Sequence, residues 1–369
     1  MKTMKAARLH KVGDPMKIET VPVPEPGSND VLVRVRACGI VPNLHNILTN
    51  WQTWFPELPL PPLPAIFGLD PAGEVVAVGS HVHTWAPGDR VYVNPGRYCG
   101  GCRACRSGDL VHCTHYTFNG YFGFSEHSWK IYKNYPYGGL GEYMTAPQYS
   151  LVKLPDNVTF EQGARFGYLG TMYSALRKGH VAPGKTVLVN GISGTLGIGG
   201  ALFGLAMGAN KIYGTGRNQA LLDKVKALAP DRIEVFSIES ETPIDAWIKS
   251  RTNDRGVDVF VDALGPGAKH ETFQQGIRSL RRGGKAYNIG AIAGPVGLDL
   301  HTMMDEGQGV EGSIWFNAGE GQDMADMAEA GTVDLSIFEH VAFPLEKVNE
   351  AISGIAVRNG GFSNFVITP

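Results

Sequence analysis

Two regimes of apolar patterning divide the chain. Up to about residue 155 the apolar positions recur at period two: "DVLVRVRACGI" and "AGEVVAVGS" alternate apolar and polar residues. Clusters such as "PVPEPGSND" and "APGDR" interrupt them, so this part predicts a β-rich unit. "FPELPLPPLP", Phe55 to Pro64, is too proline-dense for helix or sheet interior and predicts extended or irregular chain. "FEQGARFGYLGTMYSALRKG" predicts a helix leading out of this unit. From Gly184 the pattern changes. "KTVLVNG", "KIYGTG", "VDVFVDALG" and "GKAYNIGAI" predict strands, with helices predicted over "TLGIGGALFGLAMG", "QALLDKVKALA" and "HETFQQGIRSL". Strands alternating with helices imply a doubly wound parallel sheet with right-handed crossovers. The closing "FPLEKVNEAISGIAVRNGGFSNFVITP" predicts a helix and a strand that return to the first unit.

The 369 residues are about twice a typical domain, so two domains are expected. A composition 43% apolar and 18% charged is that of a globular protein, and 48 glycines predict many tight turns or backbone close to a ligand. Net charge is −2, with both signs spread along the chain, so the electrostatics give no reason to expect nucleic acid or an anionic membrane as partner. There is no apolar run of membrane-spanning length, and the first residues lack a signal-peptide core, so the expected location is the cytoplasm.

The strongest chemical signal is "CGGCRACRSGDLVHC". Cys99, Cys102, Cys105 and Cys113 offer four thiolates at spacings that can close a tetrahedron around one Zn²⁺. Four protein ligands leave no open coordination position, so the ion is expected to be structural. Cys38 stands apart and reads as a small buried apolar residue.

"TVLVNGISGTLGIGG" sets Gly191, Gly194 and Gly197 between a predicted strand and a predicted helix. Glycine there permits a tight turn and lets backbone N–H groups approach a diphosphate at the helix N-terminus. The dinucleotide candidates are Gly191, Ser193, Gly194, Thr195, Leu196 and Gly197, with Gly290 on a later strand end. The next strand ends in Thr215, Gly216 and Arg217, where an NAD site would carry a carboxylate for the ribose. A missing carboxylate and an added guanidinium favour a 2′-phosphate, hence NADPH.

Together, "VLVRVRACGI", "AGEVVAVGSHVHTWAPGDRV", the cysteine lobe, "GGLGEYMTAPQYSLVKLPD", the glycine loop and "SLRRGGKAYNIG" resemble the medium-chain dehydrogenase/reductase superfamily. This is the superfamily of zinc-type alcohol dehydrogenases and their quinone oxidoreductase relatives. The resemblance implies an α/β architecture with a GroES-like β-rich catalytic domain, residues 1–169 and 315–369, carrying a structural zinc lobe at about 95–115. A Rossmann domain would span residues 170–314. It also implies a small-molecule substrate bound in the cleft between the domains, and a homodimer or homotetramer.

The family's catalytic zinc ligands fall on Val41, Leu69 and roughly Gly167, none of which has a donor side chain. His45 and Asp70 lie nearby, but a third ligand is not evident. "FGLDPAGEV" is instead similar to a segment of the zinc-free quinone and enoyl reductases. Zinc can lower the pKa of bound water from about 16 to about 7, which is about 12 kcal/mol of proton affinity. A hydrogen-bond donor supplies about 3–4 kcal/mol. Donors alone thus serve a delocalised enolate better than a plain alkoxide, so reduction of an activated C=C in an enone, enal or quinone is the expected reaction. A zinc-independent carbonyl reductase or alcohol dehydrogenase, and an NADPH-binding protein without catalysis, are the alternatives.

The candidate donors and orienting groups are Asn43, where the family has its substrate-contacting Ser/Thr, His45 as general acid, Tyr168 and Asp70. The aromatic run with Tyr116, Phe118, Tyr121, Phe122, Phe124 and Trp129, together with Trp51, Trp54 and Phe55, either lines a pocket for an apolar substrate or fills the space left by the missing metal sphere, or makes a subunit contact.

Overall fold

A computed structural model describes residues 2–369. Its first domain is built on a seven-stranded sheet. The path runs Leu151–Lys153, Arg90–Val93, Asp70–Val78, Asp30–Gly39, Ser363–Thr368 and Glu339–Pro344, with Tyr143–Pro147 also pairing on Asp30–Gly39. The alternation read from the sequence sets the faces: along Asp30–Gly39, Val31, Val33 and Val35 turn into the core. The C-terminal strand closes this sheet, Ile367 lying opposite Cys38. A three-stranded sheet of Lys17–Pro22, Thr3–Leu9 and Ala65–Ile66 flanks it, and Gly96–Arg97 pairs with Thr117–Phe118 at the base of the cysteine lobe. Phe55–Pro64 forms no regular element apart from its turn, as proline requires.

The second domain is a six-stranded parallel sheet in the order Ile233–Ser237, Lys211–Gly216, Thr186–Asn190, Val257–Asp262, Leu280–Asn288, Gly309–Gly312. Strand order reverses at Thr186–Asn190, and the crevice at the carboxyl end of such a strand is where a doubly wound fold binds its ligand. Val187, Leu188, Val189, Phe260 and Val261 are buried, which explains their unbroken apolar runs. The helix Ile198–Ala206 lies close on this sheet because its glycines have no Cβ. One on Gly200 would stand 2.7 Å from Val189, and one on Gly204 2.8 Å from Ile212.

The predicted linking helix is broken. Phe160–Gly163 ends at Ala164, and the chain restarts as Phe166–Lys178. Arg165 occupies the break, and its guanidinium turns into the protein to donate to the carbonyls of Thr195 (2.9 Å) and Gly361 (3.2 Å). A periodicity argument treats Arg165 as a helix residue, and the structure instead places it between two helices. The helix Ala318–Glu329 was not anticipated; it starts at an Asn317–Glu320 capping box just after Trp315 and Phe316 cross back to the first domain. There the Asn94 amide donates to the Phe316 carbonyl and accepts from the Trp315 indole, both at 3.1 Å. Among the described residues no helix is long and apolar enough to cross a membrane.

Candidate active site

In the cysteine lobe the sulfur atoms of Cys99, Cys102, Cys105 and Cys113 all lie within 4.8 Å of one another. Backbone N–H groups aim at them: Cys102 donates to Cys99 Sγ at 3.4 Å, Cys105 to Cys102 Sγ at 3.5 Å, and both Cys99 and His115 to Cys113 Sγ at 3.3 Å. Tetrahedral Zn–S bonds of about 2.3 Å need sulfurs roughly 3.8 Å apart, and N–H donors stabilise thiolate charge. The four residues fit a zinc ion. Among the described residues this is the single group of three or more His, Cys, Asp or Glu side chains arranged to hold a metal.

The cleft position is different. Val41 and Leu69 are buried apolar side chains, and Asp70 is buried beside Gly167. A Cβ on Gly167 would stand 2.0 Å from Asp70 Oδ1 and 2.6 Å from its Cγ. The aspartate thus fills the space into which a side chain at 167 would project. Register places it there, since Asp70 opens its strand opposite Gly39. Its Oδ1 accepts from the Tyr92 hydroxyl at 2.9 Å. Burial raises the Asp70 pKa from 3.8 to about 7, opposed by the Tyr92 hydrogen bond and the charge of Arg165.

Asn43, Tyr168 and Tyr121 converge on this region. Asn43 precedes the short helix Leu44–Thr49, and its Oδ1 accepts from the Asn46 amide at 3.0 Å. Tyr168 is half-buried on the linking helix, and burial followed by the charge of Asp70 pushes its pKa to about 12. Tyr121 is buried, and Tyr168 and Asn43 are the polar groups that act on its hydroxyl. His45 stands apart: its side chain is exposed on the same short helix and makes no hydrogen bond or ion pair among the described residues. The sequence names Tyr121 only as one ring of the aromatic run, and gives no sign that its hydroxyl faces Asn43 and Tyr168.

Most of that run is filling. Tyr116, Phe118, Tyr121 and Phe122 are buried, with Phe118 4.6 Å from Trp315 and Trp51 4.4 Å from Phe122 between ring centres. Trp54, Phe55 and Trp129 are exposed.

The glycine loop has the form its sequence requires. Gly191 has φ +76°, which a side chain rarely adopts, and a Cβ on Gly197 would stand 2.0 Å from the Gly191 carbonyl. The extra residues that break the G-x-G spacing have a role. Ile192 is fully buried and packs where Gly214 leaves room, and Ser193 accepts from the Gly361 N–H at 2.8 Å. The N–H groups of Thr195 and Leu196 have no acceptor among the described residues, the arrangement a diphosphate needs. Thr195 is flanked by two cations, Arg165 on its carbonyl and Arg358 Nε on its Oγ1 at 3.3 Å.

Behind the loop Thr215 is turned inward, its hydroxyl donating to Asn190 Oδ1 at 2.8 Å, while the Asn190 amide donates to Asp262 at 3.1 Å. Thr215 therefore braces the strand ends; Gly216 is buried, where a Cβ would meet Ser193 Oγ at 3.0 Å, and Arg217 follows at the surface. Arg217 is exposed and has no ion pair among the described residues. Leu196 is half-buried, and Gly290 lies against Leu264 and Asp262, where a Cβ would meet the Leu264 carbonyl at 2.3 Å. These residues fit a dinucleotide.

A family model described as the alcohol dehydrogenase GroES-like domain matches residues 27–156, and one described as zinc-binding dehydrogenase matches 195–330. The sorbitol dehydrogenase of Bacillus subtilis is 31% identical over 289 residues, covering 78% of this chain and 75% of that protein. The quinone oxidoreductase of Sus scrofa is 28% identical over 376 residues, covering 99% and 98%. Among solved structures AibC superposes with a TM-score of 0.84 at 28% identity, covering 100% of this chain and 96% of that one. A Sinorhizobium meliloti protein solved bound to NADP shares the fold, with a TM-score of 0.83 at 22% identity over the whole of both chains.

Two outcomes follow from the site. Cys105→Ser should release zinc, read by elemental analysis, and lower the denaturation temperature. Asp70→Asn should gain stability over the wild type as pH rises. Between pH 4 and 7 the unfolded chain has lost a proton that folded Asp70 keeps, so the wild type loses stability through that window and is level above it. The gap, on the order of a few kcal/mol at pH 8, should shrink toward zero at pH 4 in denaturant titrations.

Proposed function

The chain belongs to the medium-chain dehydrogenase/reductase superfamily and is an oxidoreductase of its zinc-type alcohol dehydrogenase family; from that premise we propose that it uses NADPH to reduce an activated C=C, in an enone, enal or quinone, without a metal at the reacting centre. One observation carries the proposal: the Asp70 carboxyl sits where a ligand side chain at 167 would have to stand, while positions 41 and 69 carry buried Val and Leu. Charge developing on the substrate oxygen must then be met by side-chain donors, which suits an enolate.

NADPH fits along Gly191–Gly197, with its diphosphate toward the free N–H groups of Thr195 and Leu196 and its 2′-phosphate toward Arg217. When bound, it supplies a hydride. The side chains do the rest. The Tyr168 hydroxyl and the Asn43 amide hold a donor each toward the substrate oxygen, and Asp70 anchors the floor through Tyr92. His45, exposed and unpartnered, takes no part in this reading. The shared diphosphate contacts do not discriminate NADPH from NADH, so Arg217 is assigned that role. The zinc ion in the cysteine lobe is scaffolding, and assembly as a homodimer or homotetramer is proposed on the same footing.

The test is NADPH oxidation with an enone, with its saturated ketone, and the reverse reaction of the matching alcohol with NADP⁺. Turnover of the enone well above the ketone is expected; comparable ketone turnover would give the case to a carbonyl reductase, and cofactor binding without any turnover to a binding protein. Arg217→Ala should weaken NADPH by about 1.5–3 kcal/mol, read by calorimetry, and leave NADH nearly untouched. Equal losses for both cofactors would remove the 2′-phosphate assignment.

A further inference from the structure

The Tyr121 hydroxyl is buried and has no hydrogen-bond partner at bonding distance. A bare buried hydroxyl costs stability, and phenylalanine would fill the same space without that cost, so the oxygen needs an explanation. The ring is firmly placed: Gly120 turns the backbone with φ +67°, the Tyr121 N–H donates to the Phe118 carbonyl at 3.1 Å, and Phe122 packs 5.2 Å away. On the polar side stand Asn43 and Tyr168. Asn43 Oδ1 accepts from the Asn46 amide at 3.0 Å, which orients the Asn43 amide and leaves it two N–H groups, one for the phenol oxygen and one for the substrate.

We infer that Tyr121 is a positioning residue for the reaction: Asn46 orients Asn43, Asn43 donates to the Tyr121 oxygen, and the Tyr121 hydroxyl donates to the Tyr168 oxygen, turning the Tyr168 proton out into the cleft. The inference rests on the donor role given to Tyr168 in the proposed function. Each link fixes the direction of the next, and a chain aligned in this way strengthens its terminal donor. Burial separates the two tyrosines' roles. Tyr121 is sealed inside and cannot touch a substrate, whereas Tyr168 is only partly buried. Catalytic hydrogen bonds are often long before substrate binds and tighten in the complex, which is how a hydroxyl flanked by two partners comes to be bonded to neither.

Tyr121→Phe, Tyr168→Phe and the double variant, made in the full chain, test this. Tyr168→Phe, which loses the donor itself, should lower kcat by roughly 10²–10³-fold. Tyr121→Phe should lower kcat by about tenfold or more with KM and the NADPH dissociation constant unchanged, while its denaturation temperature stays level or rises. The double variant should be no slower than Tyr168→Phe, since a residue acting through another adds nothing once that one is gone. A slow Tyr168→Phe beside a wild-type kcat in Tyr121→Phe overturns this inference alone. So does a double variant slowed by the product of the two effects, or a Tyr121→Phe whose denaturation temperature falls. A wild-type kcat in Tyr168→Phe overturns the donor role of Tyr168, and this inference with it.

Discussion

A buried carboxyl with nowhere else to go governs the cleft. Asp70 is fixed in place by its register opposite Gly39, by the hydrogen bond from Tyr92 and by the absence of a side chain on Gly167. An ionised carboxylate in such a place is costly, and the rise of its pKa to about 7 expresses that cost. The compensating positive charge comes from Arg165, itself buried and tied to the Thr195 carbonyl of the glycine loop. The acid at the cleft floor and the loop that would carry the dinucleotide are thus coupled through one buried cation. Arg165 makes this connection from the break in the linking helix, between Phe160–Gly163 and Phe166–Lys178.

How much of this was legible depended on how local each feature is. The parallel sheet, the glycine loop and the cysteine lobe are written in short stretches, where spacing alone decides the geometry, and their residues stand together in the fold. That Val41, Leu69 and Gly167 carry no donor side chain was equally plain. That Asp70 occupies the vacated space was not, because it depends on two segments nearly a hundred residues apart meeting at 2.0 Å from a hypothetical Cβ. Thr215 illustrates the same limit. It sits at the right strand end for a ribose contact, but its hydroxyl is spent on Asn190, and only the register of three adjacent strands reveals it.

The aromatic run separates composition from function. A ring that lines a pocket and a ring that fills one look identical in sequence, since both are simply apolar volume. The fold sorts them. Phe118 and Phe122 pack into the core with Trp51 and Trp315, and Trp54 and Trp129 face outward. Tyr121 differs from its neighbours by a single oxygen, and that oxygen acquires meaning only from Asn43 and Tyr168, each distant along the chain.

What a metal lobe would do for the proposed metal-free cleft follows from where the lobe leads. From Cys113 the backbone turns back on itself, the Tyr116 N–H donating to the Cys113 carbonyl at 2.9 Å. It then pairs as Thr117–Phe118 with Gly96–Arg97, the strand that immediately precedes Cys99. At Asn119 it is held by the Pro95 carbonyl at 2.9 Å, and at Gly120 its carbonyl accepts from Gly68, two residues before Asp70, at 3.0 Å. Tyr121 comes next. Both strands of this ribbon lie within a few residues of cysteines, so an ion held by Cys99 and Cys113 would brace the ribbon that carries Tyr121. A four-thiolate zinc site contributes folding energy outright. Here that energy would act on the short path between the cysteine lobe and the proposed donor set, joining scaffolding and chemistry in one segment.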